Sequence, residues 1–337
     1  MLRRKFFLFV KAGLSLGKNT LRPHHTQEKI KTMKTLTLDS SQIATYLECP
    51  RKWHYQYVLH RRKYGNKKAL NKGTFFHALL EAYYVDPSAS NRNNILYLVL
   101  EAKNEIQSPD TPSPCLEKLK KDYNLKLDAD NLALEPEHFD LVFRRFGEYC
   151  FHYRNNDFVV AEVCEAAGIE LGFAIKVGES NETEFILDGR IDLLIEKDQF
   201  GLCWVDHKTE SQTRNLYEKR IQFRNYDLAL NINTENRGLG IINYLGLQVK
   251  PTKDTFRRVL CFFTASNRRH WQEYLVEKVF KPIMANGWKA EDNPNFFSCE
   301  TKYGLCDYTQ VCEFDGKSAR TDELRTQYIQ VEPWRPW

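Results

Sequence analysis

The chain has 337 residues, of which 42% are hydrophobic and 28% are charged, and its formal net charge is +5. This length allows one large domain or two small ones, and no apolar run is long enough to cross a bilayer. Nine cysteines without a convincing secretory segment argue against a disulfide scaffold and favour metal ligands together with buried thiols. The mildly basic balance is compatible with nucleic-acid binding but does not establish it.

The first 32 residues differ from the rest of the chain because they are basic and contain no acidic residue before Glu28. Their apolar piece, Phe6–Val10, is too short for a membrane span. Three interpretations stay open: a disordered basic arm that touches nucleic acid, a targeting-like peptide, and an upstream extension of a chain that starts at Met33. We predict that residues 1–37 form a basic, disordered extension and that the folded domain covers residues 38–314.

The folded part is predicted to open with a helix that Asp39, Ser40 or Ser41 caps. Cys49 follows in the sequence Cys-Pro-Arg-Lys and, taken alone, is typical of a buried thiol. The aromatic residues Trp53, Tyr55 and Tyr57 follow, and basic residues lie on both sides of them, at Arg51–Lys52 and Arg61–Lys63. This pattern fits either aromatic rings that stack on bases or a solvated basic face over core aromatics.

A second helix is predicted to begin near Gly73 and Thr74, with an apolar stripe that leaves His77 and Glu81 on its other face. A single histidine on a helix is usually structural or exposed. Residues 86–156 are mostly helical in texture and are interrupted by a proline-rich loop. We predict helices in this region and find no chemistry in it.

The most informative stretch, Phe185–Glu210, predicts a hairpin of two strands joined by the polar loop Glu196–Gly201. Apolar residues of the first strand alternate with polar ones, among them Asp192. Asp206 and Lys208 share a face of the second strand because they are two residues apart. Two carboxylates at a sheet edge form an oxygen site for a hard cation such as Mg²⁺. A neighbouring lysine can orient water or stabilise charge on a phosphate.

A helix is predicted for Asn215–Leu230, with Gln222 and Tyr226 four residues apart on one face. The apolar runs 238–247 and 256–265 predict further strands of the same sheet. An amphipathic helix then leads to the C-terminal part of the chain.

The polar segment 293–314 contains three cysteines, Cys299, Cys306 and Cys312. Cysteines gather in such segments because a soft metal centre binds thiolates strongly. Zinc or a cubane cluster needs a fourth ligand, and no histidine lies near. The tail 315–337 is polar and is predicted to be peripheral.

Gly189-Arg190-Ile191-Asp192 followed by Asp206-His207-Lys208 resembles motifs II and III of the PD-(D/E)XK nuclease superfamily. The RecB/AddB-like branch, which includes CRISPR-adaptation nucleases and many phage enzymes, is the most similar, and the resemblance covers residues 40–314. It implies an α/β fold with a restriction-endonuclease-like core. That core has a mixed central sheet flanked by helices, with a helical insertion at 86–156 and a C-terminal cysteine cluster at 293–314.

The resemblance also implies roles for individual residues. The implied ligands of a catalytic Mg²⁺ or Mn²⁺ ion are His77 (motif I), Asp192, Asp206 and the backbone carbonyl of His207. Lys208 is implied to position or activate water, while Gln222 and Tyr226 (motif IV) contact DNA near the scissile phosphate and support the active site. Four cysteines are implied to hold a structural [4Fe–4S] cluster, with zinc as the alternative, and these are Cys49, Cys299, Cys306 and Cys312.

We therefore predict a divalent-metal-dependent deoxyribonuclease, an exonuclease that acts on single-stranded or end-containing DNA. By the same resemblance we expect a cytoplasmic location in a bacterial or phage-infected cell, no membrane association, and a possible partner protein in recombination or replication. Two alternatives stay open: a catalytically silent protein of the same fold that binds DNA ends or assists recombination, and a zinc-stabilised interaction module.

Overall fold

The computed structural model describes residues 8–9, 34–63, 68–105, 113–123, 135–155, 158–163, 166–197, 199–210, 220–233, 237–252, 255–301, 304–314 and 316–332. Most of the predicted N-terminal extension and of the proline-rich loop lies outside these residues.

A mixed sheet of seven strands forms the centre of the fold, as predicted. Its strands run in the order β1-β6-β7-β8-β9-β10, and β2 also pairs with β7. The pairs β1–β6, β2–β7 and β8–β9 are parallel, and the other three are antiparallel. The strands are β1 (Leu8–Phe9), β2 (Lys34–Leu38), β6 (Ile169–Ser180), β7 (Thr183–Lys197), β8 (Gly201–Glu210), β9 (Gly238–Gly246) and β10 (Phe256–Phe263).

Helices cover both faces of the sheet. The helices are α1 (Ser40–Glu48), α2 (Pro50–Trp53), α3 (Lys68–Val85), α4 (Ala89–Glu105), α5 (Pro114–Tyr123), α6 (Pro136–His152), α7 (Ile221–Asn231), α8 (Ala265–Leu275), α9 (Lys281–Asn286), α10 (Thr309–Glu313) and α11 (Lys317–Gln327). Short π-helical segments, His54–Val58 and Val276–Phe280, continue α2 and α8, and 3₁₀ turns lie at Gly287–Asp292 and Phe296–Ser298.

Two large apolar cores result. The insertion helices α4, α5 and α6 pack with α3 on one face of the sheet, and α1, α7 and α8 pack on the other. Strand β7 contributes to both cores, with Leu193 and Ile195 in the first and Leu194 in the second. The simple alternation that we predicted for this strand therefore holds only in part, because a central strand is buried on both faces.

Strand β7 changes partners along its length, and this change opens the sheet. Residues 183–187 pair with β2, while residues 193–197 pair with β8. Strand β8 leaves β7 after Val205 and continues beside β9 alone as far as Glu210. The two strands thus form a fork, and Asp192 and Asp206 lie where it opens. We predicted the carboxylates at a sheet edge, but they lie at this fork in the interior of the sheet.

Helix α3 begins at Lys68, several residues before the start that we predicted near Gly73 and Thr74. Gly73 has a different role. A Cβ atom at this position would lie 2.7 Å from Oγ1 of Thr209. The glycine therefore allows α3 to approach β8 closely, and this approach brings His77 to the fork.

Both ends of the chain pack more extensively than we predicted. Strand β2 (Lys34–Leu38) is part of the sheet and β1 pairs with β6, so ordered structure begins before residue 38. In the tail, α11 and the strand β13 (Tyr328–Gln330) enclose a third small core, and β13 pairs with β3 (Arg61–Lys63). The remaining short strands are β4 (Glu162–Val163), β5 (Ala166–Ala167), β11 (Glu300–Thr301) and β12 (Gly304–Leu305). No described helix has both the length and the apolar character needed to cross a membrane.

Candidate active site

Three side chains from three elements meet at the fork. Nδ1 of His77, on α3, lies 3.6 Å from Oδ2 of Asp192, on β7. Glu170, on β6, joins them, and one ligand atom from each of the three residues lies within 4.8 Å of the other two. The His77 side chain keeps 31% of its surface exposed, and the Asp192 side chain keeps 15%. The group is therefore open to solvent on one side.

Glu170 was not predicted from the sequence. Strands β6 and β7 pair Ile169 with Leu193 and Leu171 with Ile191, so Glu170 lies between these pairs and opposite Asp192. Its backbone has a positive φ of 49°, which is uncommon for a residue other than glycine. Arg190 holds its carboxylate, with Nε 2.6 Å from Oε2. No single sequence motif contains Glu170. It can be found only from the register of β6 and β7, which places it opposite Asp192.

Asp206 and Lys208, on β8, form a second group beside the first. Lys208 Nζ lies 2.7 Å from Oδ2 of Asp206, whose side chain is fully buried. Gln222, on α7, donates from Nε2 to Oδ1 of Asp206 at 3.1 Å and accepts from Lys208 Nζ at 3.1 Å. The same Nε2 donates to the hydroxyl of Tyr226 at 2.6 Å. Helix α7 therefore fixes the lysine and the aspartate relative to each other.

Burial dominates the electrostatics of the site. It raises the pKa of Asp206 to about 6 and also raises the pKa of Asp192. Burial, followed by the charge of Lys208, lowers the pKa of His77 to about 4. The imidazole is thus neutral at physiological pH and has a lone pair for a metal ion. A buried carboxylate with a raised pKa gains stability when a cation binds next to it.

His207 lies between the two catalytic candidates of β8, and its ring packs edge-on against the ring of His77 with their centroids 5.9 Å apart. Its backbone amide donates to Oδ2 of Asp192 at 2.8 Å. Its ring is buried, stacks on Tyr84 and contacts Asn243 through Nδ1. The sequence indicated only its backbone carbonyl as a ligand; the anchored ring and the amide contact come from the tertiary structure.

The residues at the fork fit a hard divalent cation. Carboxylate oxygens are the usual ligands of Mg²⁺ and Mn²⁺, and one imidazole is tolerated among them. His77, Asp192 and Glu170 point their ligand atoms at one another. Asp206 is adjacent, but both of its oxygens are engaged by Lys208 and Gln222 in this arrangement.

The four cysteines singled out in the sequence come from distant segments and are neighbours in the fold. Cys49 lies at the break between α1 and α2, and its Sγ accepts the backbone amide of Asn295 at 3.4 Å. The backbone amide of Cys306 donates to the carbonyl of Cys299 at 2.7 Å. Burial raises the pKa of the Cys312 thiol, and the nearby Cys49 and Cys299 also raise it. All four thiols are free.

Comparison with known proteins identifies the family. Residues 38–313 match the family model of the PD-(D/E)XK nuclease superfamily. No protein with a curated description matches the chain. Among solved structures, a candidate exonuclease from Eubacterium rectale is similar, with a TM-score of 0.44 and 14% identity over 83% of this chain and 89% of that one. The protein SSO0001 is similar with a TM-score of 0.27 and 11% identity over 65% of this chain and 84% of that one. Because the family match spans well over half of the sequence, this chain belongs to the PD-(D/E)XK nuclease superfamily.

Proposed function

We propose that this chain is a divalent-metal-dependent deoxyribonuclease, an exonuclease of the RecB/AddB-like branch. The observation that carries the proposal is the convergence of His77, Asp192 and Glu170 within 4.8 Å, next to the ion pair of Asp206 and Lys208. A cation site beside a lysine held at a fixed distance is an arrangement suited to phosphodiester hydrolysis.

His77, Asp192 and Glu170 would hold the cation, and Asp206 would face it from the neighbouring strand. A bound divalent cation would act as a Lewis acid toward a phosphate oxygen. Arg190 keeps the Glu170 carboxylate oriented through their 2.6 Å contact. The neutral imidazole of His77 accepts a cation without first losing a proton, because its pKa is about 4.

Lys208 supplies a positive charge beside the reacting phosphate. The Lys208 side chain keeps 19% of its surface exposed, so solvent reaches it. It can orient an attacking water by donating a hydrogen bond and can stabilise negative charge that develops on the phosphate. Asp206 and Gln222 restrict the ammonium group to one position. This restriction lowers the cost of reorganisation when the phosphate reacts.

Gln222 and Tyr226 act on the site from α7. Tyr226 is 3% exposed, and its hydroxyl accepts a hydrogen bond from Gln222. We therefore propose that Tyr226 supports Gln222 and that it does not itself contact DNA, in contrast to the sequence-based interpretation. Gln222 would contact the DNA and hold Lys208 at the same time.

The experiment compares cleavage of end-labelled linear DNA and closed circular DNA in Mg²⁺ or Mn²⁺. We expect the linear DNA to be degraded and the circular DNA to stay intact, with all cleavage lost in chelator and in the Asp206→Ala variant. Equal cleavage of circular DNA would instead indicate an endonuclease. Binding to DNA without metal-dependent cleavage of either substrate would indicate the catalytically silent alternative.

We further propose that Cys49, Cys299, Cys306 and Cys312 hold an iron–sulfur cluster. Thiolates are the ligands that soft metal centres prefer, and both zinc and an iron–sulfur cluster take four of them. Cys49 and Cys299 lie close enough to Cys312 to raise the pKa of its thiol. The resemblance to the RecB/AddB-like branch favours the cluster over zinc. The cluster would link the N-terminal helices to the C-terminal segment.

Iron, sulfide and zinc analysis after anaerobic purification tests this part of the proposal. We expect iron and sulfide in the wild type, and their loss in Cys312→Ser. Cys115→Ser is the matched control, because this thiol lies beside Glu105 on the insertion and away from the other four. Stoichiometric zinc without iron would refute the cluster.

The same proposal includes the limits of the nuclease domain, its substrate, its cellular location and its partner. The nuclease domain would span residues 38–314, with the insertion at 86–156 and the cysteine segment at 293–314, and β2, α11 and β13 pack onto it. DNA with ends or single strands would be the substrate, in the cytoplasm of a bacterial or phage-infected cell. A recombination or replication protein would be the partner that delivers such DNA.

A further inference from the structure

Behind the fork, a chain of buried polar groups holds His207 in place. Nδ1 of His207 lies 2.8 Å from Nδ2 of Asn243, the residue directly opposite it on β9. Nδ2 of Asn243 also donates to the hydroxyl of Tyr149 at 2.9 Å. That hydroxyl lies 2.5 Å from the hydroxyl of Tyr84, whose ring stacks on the His207 imidazole at 5.7 Å. Tyr84 and Asn243 thus cover one face and one edge of the ring, Tyr149 links these two residues, and the ring of His77 lies edge-on to that of His207 at 5.9 Å.

These groups lie in the interior and do not face the substrate. His207 is 4% exposed and Asn243 is fully buried. A buried amide and a buried imidazole without hydrogen-bond partners would destabilise the fold, so their mutual contact has a structural benefit. Two apolar side chains in place of Asn243 and His207 could give the same stability, however. They would not form the hydrogen bond that fixes the orientation of the His207 ring.

The position of His207 explains why the direction of its ring matters. On its β7 side, β8 has no strand partner beyond Val205, because the fork opens there. The backbone between Asp206 and Lys208 is therefore held by β9 on one side only. The backbone amide of His207 donates a hydrogen bond to Oδ2 of Asp192 at 2.8 Å. Any rotation of this peptide would move the Asp192 carboxylate, Asp206 and Lys208 together.

We propose that His207, anchored by Asn243 and Tyr149, is a positioning residue for the cation site. It acts through the backbone amide that holds the Asp192 carboxylate at the mouth of the fork. This role rests on the proposed function, because it presumes that Asp192 is a ligand of the cation. Groups that hydrogen-bond to metal ligands typically change metal affinity by about 10- to 100-fold when they are removed.

The test measures Mn²⁺ binding to the full-length chain without DNA, by titration calorimetry or by the electron paramagnetic resonance signal of free Mn²⁺. Asn243→Leu removes both hydrogen bonds of the amide and keeps the number and branching of the side-chain heavy atoms. His207→Phe keeps a ring against Tyr84 and removes Nδ1. We expect each variant to bind Mn²⁺ about 10-fold more weakly or worse. The double variant should be no weaker than the worse single variant, because both changes break one contact.

Asn231→Leu is the matched control. Asn231 is another buried amide, at the end of α7, and it hydrogen-bonds to Asp227. We expect its thermal unfolding temperature to fall as much as that of Asn243→Leu while its Mn²⁺ affinity stays unchanged. The positioning role is wrong if Asn243→Leu is destabilised like the control and binds Mn²⁺ within twofold of the wild type. If Asp192→Asn also leaves Mn²⁺ binding unchanged, then the cation site itself is absent and the proposed function fails.

Discussion

Oδ2 of Asp192 lies 3.6 Å from Nδ1 of His77 and 2.8 Å from the backbone amide of His207. This one oxygen therefore contacts helix α3 and strand β8, although the insertion separates these elements in the sequence. The contact becomes possible because the pairing of β7 with β8 ends at Leu193 and Val205, and the side chain of His77 enters the gap beyond this pair.

Removal of the lysine tests the catalytic centre. Lys208→Ala should reduce the single-turnover cleavage rate by about 10²- to 10³-fold, because a fixed charge beside the developing oxyanion is lost. DNA affinity in the presence of Ca²⁺ should stay within a few-fold of the wild type. Lys197→Ala is the control, because this exposed lysine lies at the far end of β7. An unchanged rate in Lys208→Ala would remove the lysine from the mechanism.

Glu170 should contribute to cation binding. Glu170→Gln is expected to weaken Mn²⁺ binding by about 10-fold, because one carboxylate of the group is neutralised. Glu179→Gln is the control. Glu179 lies on the same strand and pairs with the exposed Lys176, so its substitution should leave Mn²⁺ binding unchanged. Equal affinities in the two variants would show that Glu170 serves only to hold Arg190.

Gly240 should be needed for packing behind the site. A Cβ atom there would lie 1.9 Å from the ring of Trp204. That ring is fully buried and stacks on Phe223 at 5.1 Å, so it has no room to move. Gly240→Ala should lower the free energy of unfolding by about 1–3 kcal/mol, as measured by urea denaturation.

Gly147→Ala provides the opposite case. Gly147 lies inside α6, and among the described residues no atom outside its chain neighbours and the adjacent helix backbone lies within 4 Å of a Cβ atom built there. Alanine should therefore raise the stability by about 0.5–1 kcal/mol through helix propensity. A similar loss of stability in both variants would mean that the loss at Gly240 does not come from the Trp204 ring.

Asp188 should make stability depend on pH. Burial, and then the charge of Asp39, raises the pKa of Asp188 from 3.8 to about 7. The folded state therefore holds a proton that the unfolded state releases between about pH 4 and pH 7, so this group lowers the stability as pH rises through that range. Its full effect is on the order of 4 kcal/mol for a displacement of about three pKa units.

Asp188→Asn should remove this dependence. The variant should unfold at a higher temperature than the wild type. This difference in unfolding temperature should grow from pH 4 to pH 7 and stay constant above pH 7. A constant difference between Asp188→Asn and the wild type across this range would contradict the raised pKa.

The family and the fold class could be predicted from the sequence and are confirmed. The reason is that the motif residues are local: Asp206 and Lys208 are two residues apart on one strand, and Gln222 and Tyr226 are four apart on one helix. Such spacings fix which side chains share a face. The cysteines were also visible, since three of them lie in one short polar segment. The roles of these residues stay predictions until they are tested.

Other features were decided only by the tertiary structure. Glu170 faces Asp192 because β6 and β7 pair in one particular register, and a register is a relation between two segments. The anchor of His207 depends on Asn243 of the next strand. The tail was predicted to be peripheral, but Leu324 and Tyr328 complete the small core beside Cys306 and Cys312. A local pattern states which face a side chain occupies, whereas the partner on that face depends on how distant segments pack.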